Sequence, residues 1–329
     1  MNKTILITGG CGYIGSHIAL LLKNKGFGLV VVDNLSTGHD ENMLEGVTYE
    51  IGDIGDDSFL AQVFNKHAIE TVMHLAAKTS VEEAMRQAEF YYEENLLKSI
   101  NFLKICGRYN VKHFIFSSTA AVYGHNSNQT VNEDHAINPS NPYGKSKYIA
   151  ELALSSLARE VAMQLTILRY FNVAGHDQAL RVGNFNRASA AIIPVICRNI
   201  AMDNFSITIN GNDFDTHDGT CVRDYIHVMD IANTHFMLLN ECFQSKKKEN
   251  LIVNVGYGNG LSVLDVIKLA NSLADKKLSH TIAERRNGDI PYSVADNTRI
   301  KSLEWKSLFE DPYKAMIMSE IAWNKKLLV

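Results

Sequence analysis

Along the first half of the chain, short runs of β-branched and other apolar residues alternate with longer stretches whose apolar positions recur every three or four residues. The runs Thr4–Thr8, Leu29–Asp33, Val47–Ile51, Thr71–Leu75, His113–Ser117 and Leu165–Tyr170 predict strands. Between them, Gly15–Lys25, Ser58–Lys66, Asn95–Tyr109 and Ser146–Met163 predict helices. Strand–helix alternation of this kind predicts an α/β fold: a Rossmann-type, doubly wound parallel sheet with ligands beyond the carboxyl ends of its strands. After Gly175 the pattern degrades. His176–Ser189 reads as a long polar loop, followed by a helix over Ala190–Met202 and a strand over Ser206–Asn210. Val253–Gly256 predicts a strand that returns to the sheet, which makes the second, smaller α/β domain discontinuous. The expected division is 1–173 with about 225–256 in one domain, and about 174–224 with 257–329 in the other. The tail predicts helices at Ser262–Lys276 and Pro312–Trp323, with a strand or two between them.

Bulk properties then narrow the class. A net charge of -4 leaves no electrostatic footprint for nucleic acid or an anionic membrane. The one basic run, Lys246–Lys248, reads as a solvated loop. Five scattered cysteines without a Cys-x-x-Cys predict reduced thiols in a cytoplasmic protein, neither a disulfide framework nor a zinc site. The histidines form no helical His-x-x-x-His pair, so no metal is expected. Ile5-Leu6-Ile7 runs straight into glycines, so no signal peptide is expected, and no apolar run approaches a membrane span.

Chemistry enters at the strand ends. The first predicted strand runs into Gly9-Gly10-Cys11-Gly12-Tyr13-Ile14-Gly15 and then a helix. Glycines at positions 9, 12 and 15 let a backbone approach a pyrophosphate, while the helix amino terminus supplies N–H groups and partial positive charge. The alternative is a glycine turn that only packs helix on strand. Asp33, roughly 20 residues on, is placed to accept ribose hydroxyls. Asn34-Leu35-Ser36 follow with no cation for a 2′-phosphate, which favours NAD over NADP. Asp53, with Ile54 beside it, reads either as an acceptor for adenine or as a solvated turn. Leu75, Ala76 and Ala77 offer small side chains where a cofactor passes, and Lys78 a donor. Tyr143 and Lys147 stand four residues apart, hence one helical turn apart. An ammonium there, helped by a cofactor's positive charge, would pull a phenol from about 10 toward working pH and make Tyr143 a base for an alcohol hydroxyl. By spacing alone the pair is only a helix face.

The glycine fingerprint, His74-Leu75-Ala76-Ala77, Ser117-Ser118-Thr119 and Tyr143-x-x-x-Lys147 together resemble the extended short-chain dehydrogenase/reductase superfamily. Two stretches, Arg169–Gly175 and above all Asp218–Asp230, narrow the resemblance to its UDP-glucose (UDP-galactose) 4-epimerase family, over nearly the whole chain. The resemblance implies tightly held NAD, a UDP-hexose substrate, epimerisation at C4 through a 4-keto sugar, and a homodimer joined through Asn95–Tyr109 and Ser146–Met163. It makes Tyr143 the base, with Lys147 lowering its pKa and Thr119 bridging the sugar hydroxyl. It adds Asn95, Ser117 and Tyr170 to the cofactor site. Arg223 and Arg286 would hold the diphosphate, Asp289 the uridine ribose, and Asn172, Ile192, Lys78 and Ser293 the rest of the substrate. Read without it, Arg223–Asp224 and Arg286–Asp289 are ordinary ion pairs.

The chain departs from the family at Asn210, where many members place an aromatic against uracil, at Ala191 and at Glu94. Ser293 is small where the family places either a bulky Tyr or a small residue beside the sugar's C2 substituent, which implies room for an N-acetyl group. Ala120-Ala121 after Thr119 carry no acid or base, which argues against a 4,6-dehydratase. A 4-epimerase for UDP-glucuronate or UDP-xylose stays open. So does a non-catalytic NAD sensor, which the retained Tyr143, Lys147 and Thr119 oppose.

Overall fold

Short apolar runs can be buried as strands only where partner strands take up their backbone N–H and C=O groups, and here they find them. The computed structural model describes residues 4–125, 129–187, 191–244, 250–274, 277–286 and 288–328, so the basic run Lys246–Lys248 lies outside the described residues. Strands β1 (Thr4–Thr8), β2 (Gly28–Asp33), β3 (Thr48–Ile51), β4 (Ile69–His74), β5 (His113–Thr119) and β6 (Gln164–Tyr170) all lie in one sheet. Their order is β3-β2-β1-β4-β5-β6, with the strand Leu251–Val255 beside β6. Every pairing from β3 to β6 is parallel. Parallel neighbours require crossovers, and the order reverses between β1 and β4, which is where a doubly wound sheet opens a crevice for a ligand.

Burial explains the near-continuous apolar strands. Ile5, Leu6, Ile7, Val31, Val32, Phe114, Ile115 and Phe116 are fully buried. Each contributes roughly 1.5–3 kcal/mol relative to exposure. On β1 and β4, Thr8 Oγ1 lies 2.7 Å from His74 Nδ1, and His74 Nε2 lies 2.9 Å from Ser99 Oγ. Burial and the nearby Lys147 push this imidazole down to about 3, so it stays neutral and ties the two central strands together.

The helices differ from expectation mainly at their ends. Pro142–Glu160 begins four residues before the predicted Ser146, because Asn141 caps it and Pro142 occupies its first turn. The predicted helix Asn95–Tyr109 is a π-helical turn, Glu93–Leu97, running into the α-helix Lys98–Arg108. The two expected tail helices form as Val263–Leu273, capped by Ser262, and Pro312–Lys326, with a short helix, Thr298–Lys301, between them. Among the described residues, 176–187 form no regular element.

The chain divides into two compact units. One comprises Met1–Gly124, Ile137–Tyr170 and Ala232–Val253; the other His125–Ala136, Phe171–Ile231 and Asn254–Val329. The second unit is built around the strand Val222–His227. It pairs in parallel with Asn172–Ala174 and Tyr292–Ser293 and antiparallel with Gly260–Ser262. A separate parallel pair joins Ser206–Asn210 to Ser279–Ala283. Ile193, Ile196, Val266, Ile267, Met316 and Ile317 form part of its core. The segment 125–136, which no motif marks, joins this unit: the Val131 N–H donates to the Val294 carbonyl at 3.0 Å, and Asn254 N–H donates to Glu133 at 2.7 Å.

Candidate active site

The glycine turn at the end of β1 is shaped by close backbone approach. Gly9 has φ 70°, and a Cβ on it would meet the Ala76 nitrogen at 2.8 Å. One on Gly15 would strike the Gly9 carbonyl oxygen, and one on Gly12 would crowd the same atom at 3.2 Å. The helix Tyr13–Asn24 starts directly after Gly12 with no side-chain cap, so its first N–H groups face outward as donors. Leu75 N–H donates to the Thr8 carbonyl and Ala76 N–H to Thr8 Oγ1, which holds Leu75, Ala76 and Ala77 beside the turn. These residues fit a dinucleotide pyrophosphate: the cradle is one that any Cβ would fill.

Asp33 ends β2. Its carboxylate accepts from the N–H groups of Cys11 and Leu35, both at 2.9 Å, which fixes it against the turn while leaving further lone-pair sites for ribose hydroxyls. Asn34 donates to Asp53 at 2.7 Å, and Gly55 N–H and Lys98 donate to the same carboxylate. Burial would raise Asp53, but Gly55, Lys98 and Asn34 outweigh it and lower its pKa. Ile54 beside it is buried. Lys98 also pairs with Glu94 at 2.5 Å, which gives that departure from the family a local partner. Lys78 Nζ donates to Ser36 at 2.9 Å. Asn95, fully buried in the π-helical turn, clamps the Lys78 backbone by both amide atoms and donates to Ser146. It therefore reaches the site through Lys78.

Tyr143 and Lys147 stand one turn apart at the start of the helix Pro142–Glu160. Gly144 explains their depth: a Cβ there would lie 2.6 Å from the Ala121 carbonyl oxygen, so glycine lets the helix start press against the turn Ala120–Val122. That turn is capped by Thr119, whose Oγ1 accepts from Ala121 N–H at 3.1 Å. Thr119 is near enough to the Tyr143 phenol to favour its ionised form. Burial raises the Tyr143 pKa and Thr119 recovers only part of the shift. Lys147, 3% exposed, has its Nζ 4.2 Å from the centre of the Phe116 ring. Burial takes it down to about 7, with Glu151 pulling the other way. In the protein without a cofactor, burial disfavours both charges.

Residues to which no motif gave a role support this pair. Glu151, one turn beyond Lys147, accepts from Ser118 and from Arg169 at 3.1 and 2.6 Å, and Arg169 also donates to Tyr123 at 2.9 Å. Arg169 stands out in sequence as a cation inside an apolar strand, and Glu151 as a carboxylate on the Tyr143–Lys147 face. Ser117 Oγ lies 2.9 Å from the Tyr170 hydroxyl, which in turn meets His235.

In the second unit, Arg223 donates to the Val222 carbonyl at 2.9 Å. The ion pair Arg223–Asp224 is not formed: Asp224 is fully buried and accepts from the N–H groups of Tyr257, Gly258 and Ala295. Ser293 is the register partner of Arg223 on the next strand, so the two belong to one edge of this sheet. Arg286 does pair with Asp289, at 3.0 Å on an exposed turn, a contact a phosphate can compete with. Asn172 is exposed at the start of its strand, Ile192 opens the helix Ile192–Ala201 behind the exposed Ala191, and Asn210 ends its strand opposite Ala283.

A parallel sheet that reverses beside a glycine turn, with Tyr-x-x-x-Lys beyond its strand ends, defines the class: a Rossmann-type, dinucleotide-dependent enzyme of the extended short-chain dehydrogenase/reductase kind. The model of the NAD dependent epimerase/dehydratase family matches residues 5–256, and the chain belongs to that family. It is 37% identical to the UDP-glucose 4-epimerase of Azospirillum brasilense over 99% of this chain and 93% of that protein. It superposes with a TM-score of 0.90 on the UDP-glucose 4-epimerase from Bifidobacterium longum in complex with NAD+ and UDP, at 32% identity and 98% coverage of both chains. The UDP-Glc/GlcNAc 4-epimerase from Campylobacter jejuni is also similar, with 32% identity, a TM-score of 0.82, and coverage of 98% of this chain and 99% of that one.

Proposed function

We propose that this chain epimerises UDP-hexoses at C4, interconverting UDP-galactose and UDP-glucose with bound NAD. The observation that carries the reading is the half-buried Tyr143, beside Thr119 and one turn from the buried Lys147, on the same sheet edge as a glycine cradle that only a closely approaching backbone requires. Gly9, Gly12, Tyr13, Ile14 and Gly15 would hold the pyrophosphate, Asp33 the adenosine ribose, Asn34, Asp53 and Ile54 the adenine end, and Lys147 with Lys78 the nicotinamide ribose. NAD bound there supplies a hydride acceptor and donor at C4, and a positive charge that favours the Tyr143 phenolate.

The remaining work falls to side chains. Tyr143 takes the C4 hydroxyl proton and later returns it, and Thr119 keeps the phenol oxygen and the sugar hydroxyl on one line of hydrogen bonds. Lys147 stabilises the phenolate. Arg223 and Arg286 would anchor the diphosphate, Arg286 exchanging Asp289 for phosphate oxygen and freeing that carboxylate for the uridine ribose. Asn172 and Ile192 would flank the nucleotide sugar. Anchoring through UDP lets the 4-keto hexose turn over and accept hydride on its other face. Ser293, small beside Arg223, would leave space for a C2 N-acetyl group, so UDP-N-acetylglucosamine is expected as a second substrate.

The assembly is expected to be a cytoplasmic homodimer. All five cysteines are free and buried, and among the described residues no helix is long and apolar enough to cross a membrane. Leu97 and Leu152, 59% and 53% exposed, with Ile149 also exposed, lie on the two segments expected at the dimer contact. Incubation with UDP-galactose and NAD, read by separating UDP-glucose, tests the activity. Wild type should convert the substrate, and Tyr143→Phe should bind NAD but lose at least about 10²-fold in kcat. Unchanged turnover by Tyr143→Phe would end this mechanism.

A further inference from the structure

His235 lies fully buried on the helix Val228–Gln244, its Nε2 against the Tyr170 hydroxyl. Its other ring nitrogen, Nδ1, has no hydrogen-bond partner among the described residues. Burial pushes the imidazole down to about 3, so at neutral pH it carries a single N–H. Two tautomers are available, and they do not cost the same. With the proton on Nδ1, a buried N–H donor is orphaned, an arrangement that native structures rarely tolerate. With the proton on Nε2, the donor is used and only a lone pair is left bare.

The Nε2–H tautomer sets the direction of everything beyond it. Nε2–H donates to the Tyr170 oxygen. The Tyr170 proton then has one partner, Ser117 Oγ, at 2.9 Å. Ser117 consequently accepts from Tyr170 and cannot donate back. Its own proton is left to point away from the relay, and it finds no acceptor among the described residues. Ser117 sits near the carboxyl end of β5, two residues before Thr119, and is 8% exposed.

We propose that His235 is a positioning residue: through Tyr170 it makes Ser117 a one-way hydrogen-bond donor for an acceptor atom, of carbonyl type, on the bound dinucleotide. This rests on the NAD reading above. It assigns a function to a buried histidine that no motif marks, and it predicts a polarity for the whole chain of groups.

Two measurements test it. The first needs no ligand: ¹⁵N spectra of the histidine-labelled full-length protein, with the His235 signals assigned by their loss in His235→Gln. Nε2 should appear protonated and Nδ1 bare; the reverse pattern overturns the proposal whatever the protein binds. The second is NAD affinity by titration calorimetry. His235→Leu removes the donor, lets Tyr170 and Ser117 reverse, and should weaken NAD roughly three- to tenfold. Ser117→Ala should cost about the same, and the double variant no more than either alone. His235→Gln, whose amide N–H reaches the Nε2 position, should restore most of the affinity. Additive losses, or wild-type affinity in His235→Leu, would show that His235 only packs. Absence of NAD binding by wild type would refute the cofactor reading itself, and the tautomer would still be decided by the spectra.

Discussion

Glu151→Gln exchanges a buried carboxylate for an amide of the same shape, and the structure says what is left behind. Arg169, 3% exposed, loses both charged contacts to Glu151 and keeps the neutral Tyr123 hydroxyl at 2.9 Å. Removing one member of a buried ion pair costs about 3–5 kcal/mol, because the other charge stays desolvated and unpaired. At roughly 2–4 °C per kcal/mol, the thermal midpoint should fall by roughly 6–20 °C. Urea denaturation followed by circular dichroism measures the free energy. Glu151→Gln/Arg169→Met removes both charges and should recover most of the loss. The same carboxylate holds Lys147 up against burial, so its removal should take the lysine below about 7 and move the rising limb of the kcat–pH profile to higher pH. A single-variant cost under about 1 kcal/mol, or a double variant as unstable as the single one, would refute the claim that this pair holds the helix to the sheet.

Gly144→Ala should displace the helix start from the Ala121 carbonyl and lower kcat by about 10²-fold with NAD affinity little changed, since a misplacement near 1 Å is enough; equal losses in both would point to general unfolding. Burial raises Glu320 to about 7, above its unfolded value, so its contribution is fully present below the unfolded pKa and lost as pH rises through about 7. Denaturation at pH 5 and pH 8 should show a loss on the order of 3 kcal/mol from this group, absent in Glu320→Gln, which can still accept from Gly175 N–H. Ser293→Tyr should abolish turnover of UDP-N-acetylglucosamine and spare UDP-galactose; equal failure of wild type and variant on the N-acetyl sugar, with UDP-galactose turned over normally, would remove the C2 argument.

The inner strands of the sheet were legible because they are buried on both faces, which leaves an apolar run bounded by turn residues; all strand ends, those of the half-exposed edge strand β3 included, moved by at most two residues. The start of the helix carrying Tyr143 was less so. Asn141 and Pro142 are an N-cap and a first-turn proline, but the polar Tyr-Gly-Lys-Ser run that follows lacks apolar periodicity, since Lys147 and Ser146 are buried for chemistry and packing and not for hydrophobicity. The strand Val222–His227 hid for a related reason. Two of its members, Asp224 and His227, are fully buried polar residues that accept from backbone N–H groups outside the sheet, so no alternation announces it. Glu151, Arg169 and His235 escaped because their roles depend on neighbours distant in the chain.

Those hidden residues bear on how the base is poised. A carboxylate one turn from Lys147 ought to hold its ammonium firmly charged, yet Lys147 sits near 7. The reason is that burial outweighs the pull of Glu151, whose carboxylate is also paired with Arg169. Burial then disfavours Lys147 as a cation and Tyr143 as an anion when each is charged alone. Charged together they compensate one another, so the cost of ionising the phenol is the cost of a buried pair and not of a lone anion. A lysine near its midpoint at neutral pH needs only a small further bias to take up that charge. With the dinucleotide's positive ring in place the bias is toward phenolate, and proton removal at C4 becomes favourable where the hydride acceptor is also bound. The apolar setting that raises Tyr143 in the protein alone is therefore what ties its basicity to the cofactor.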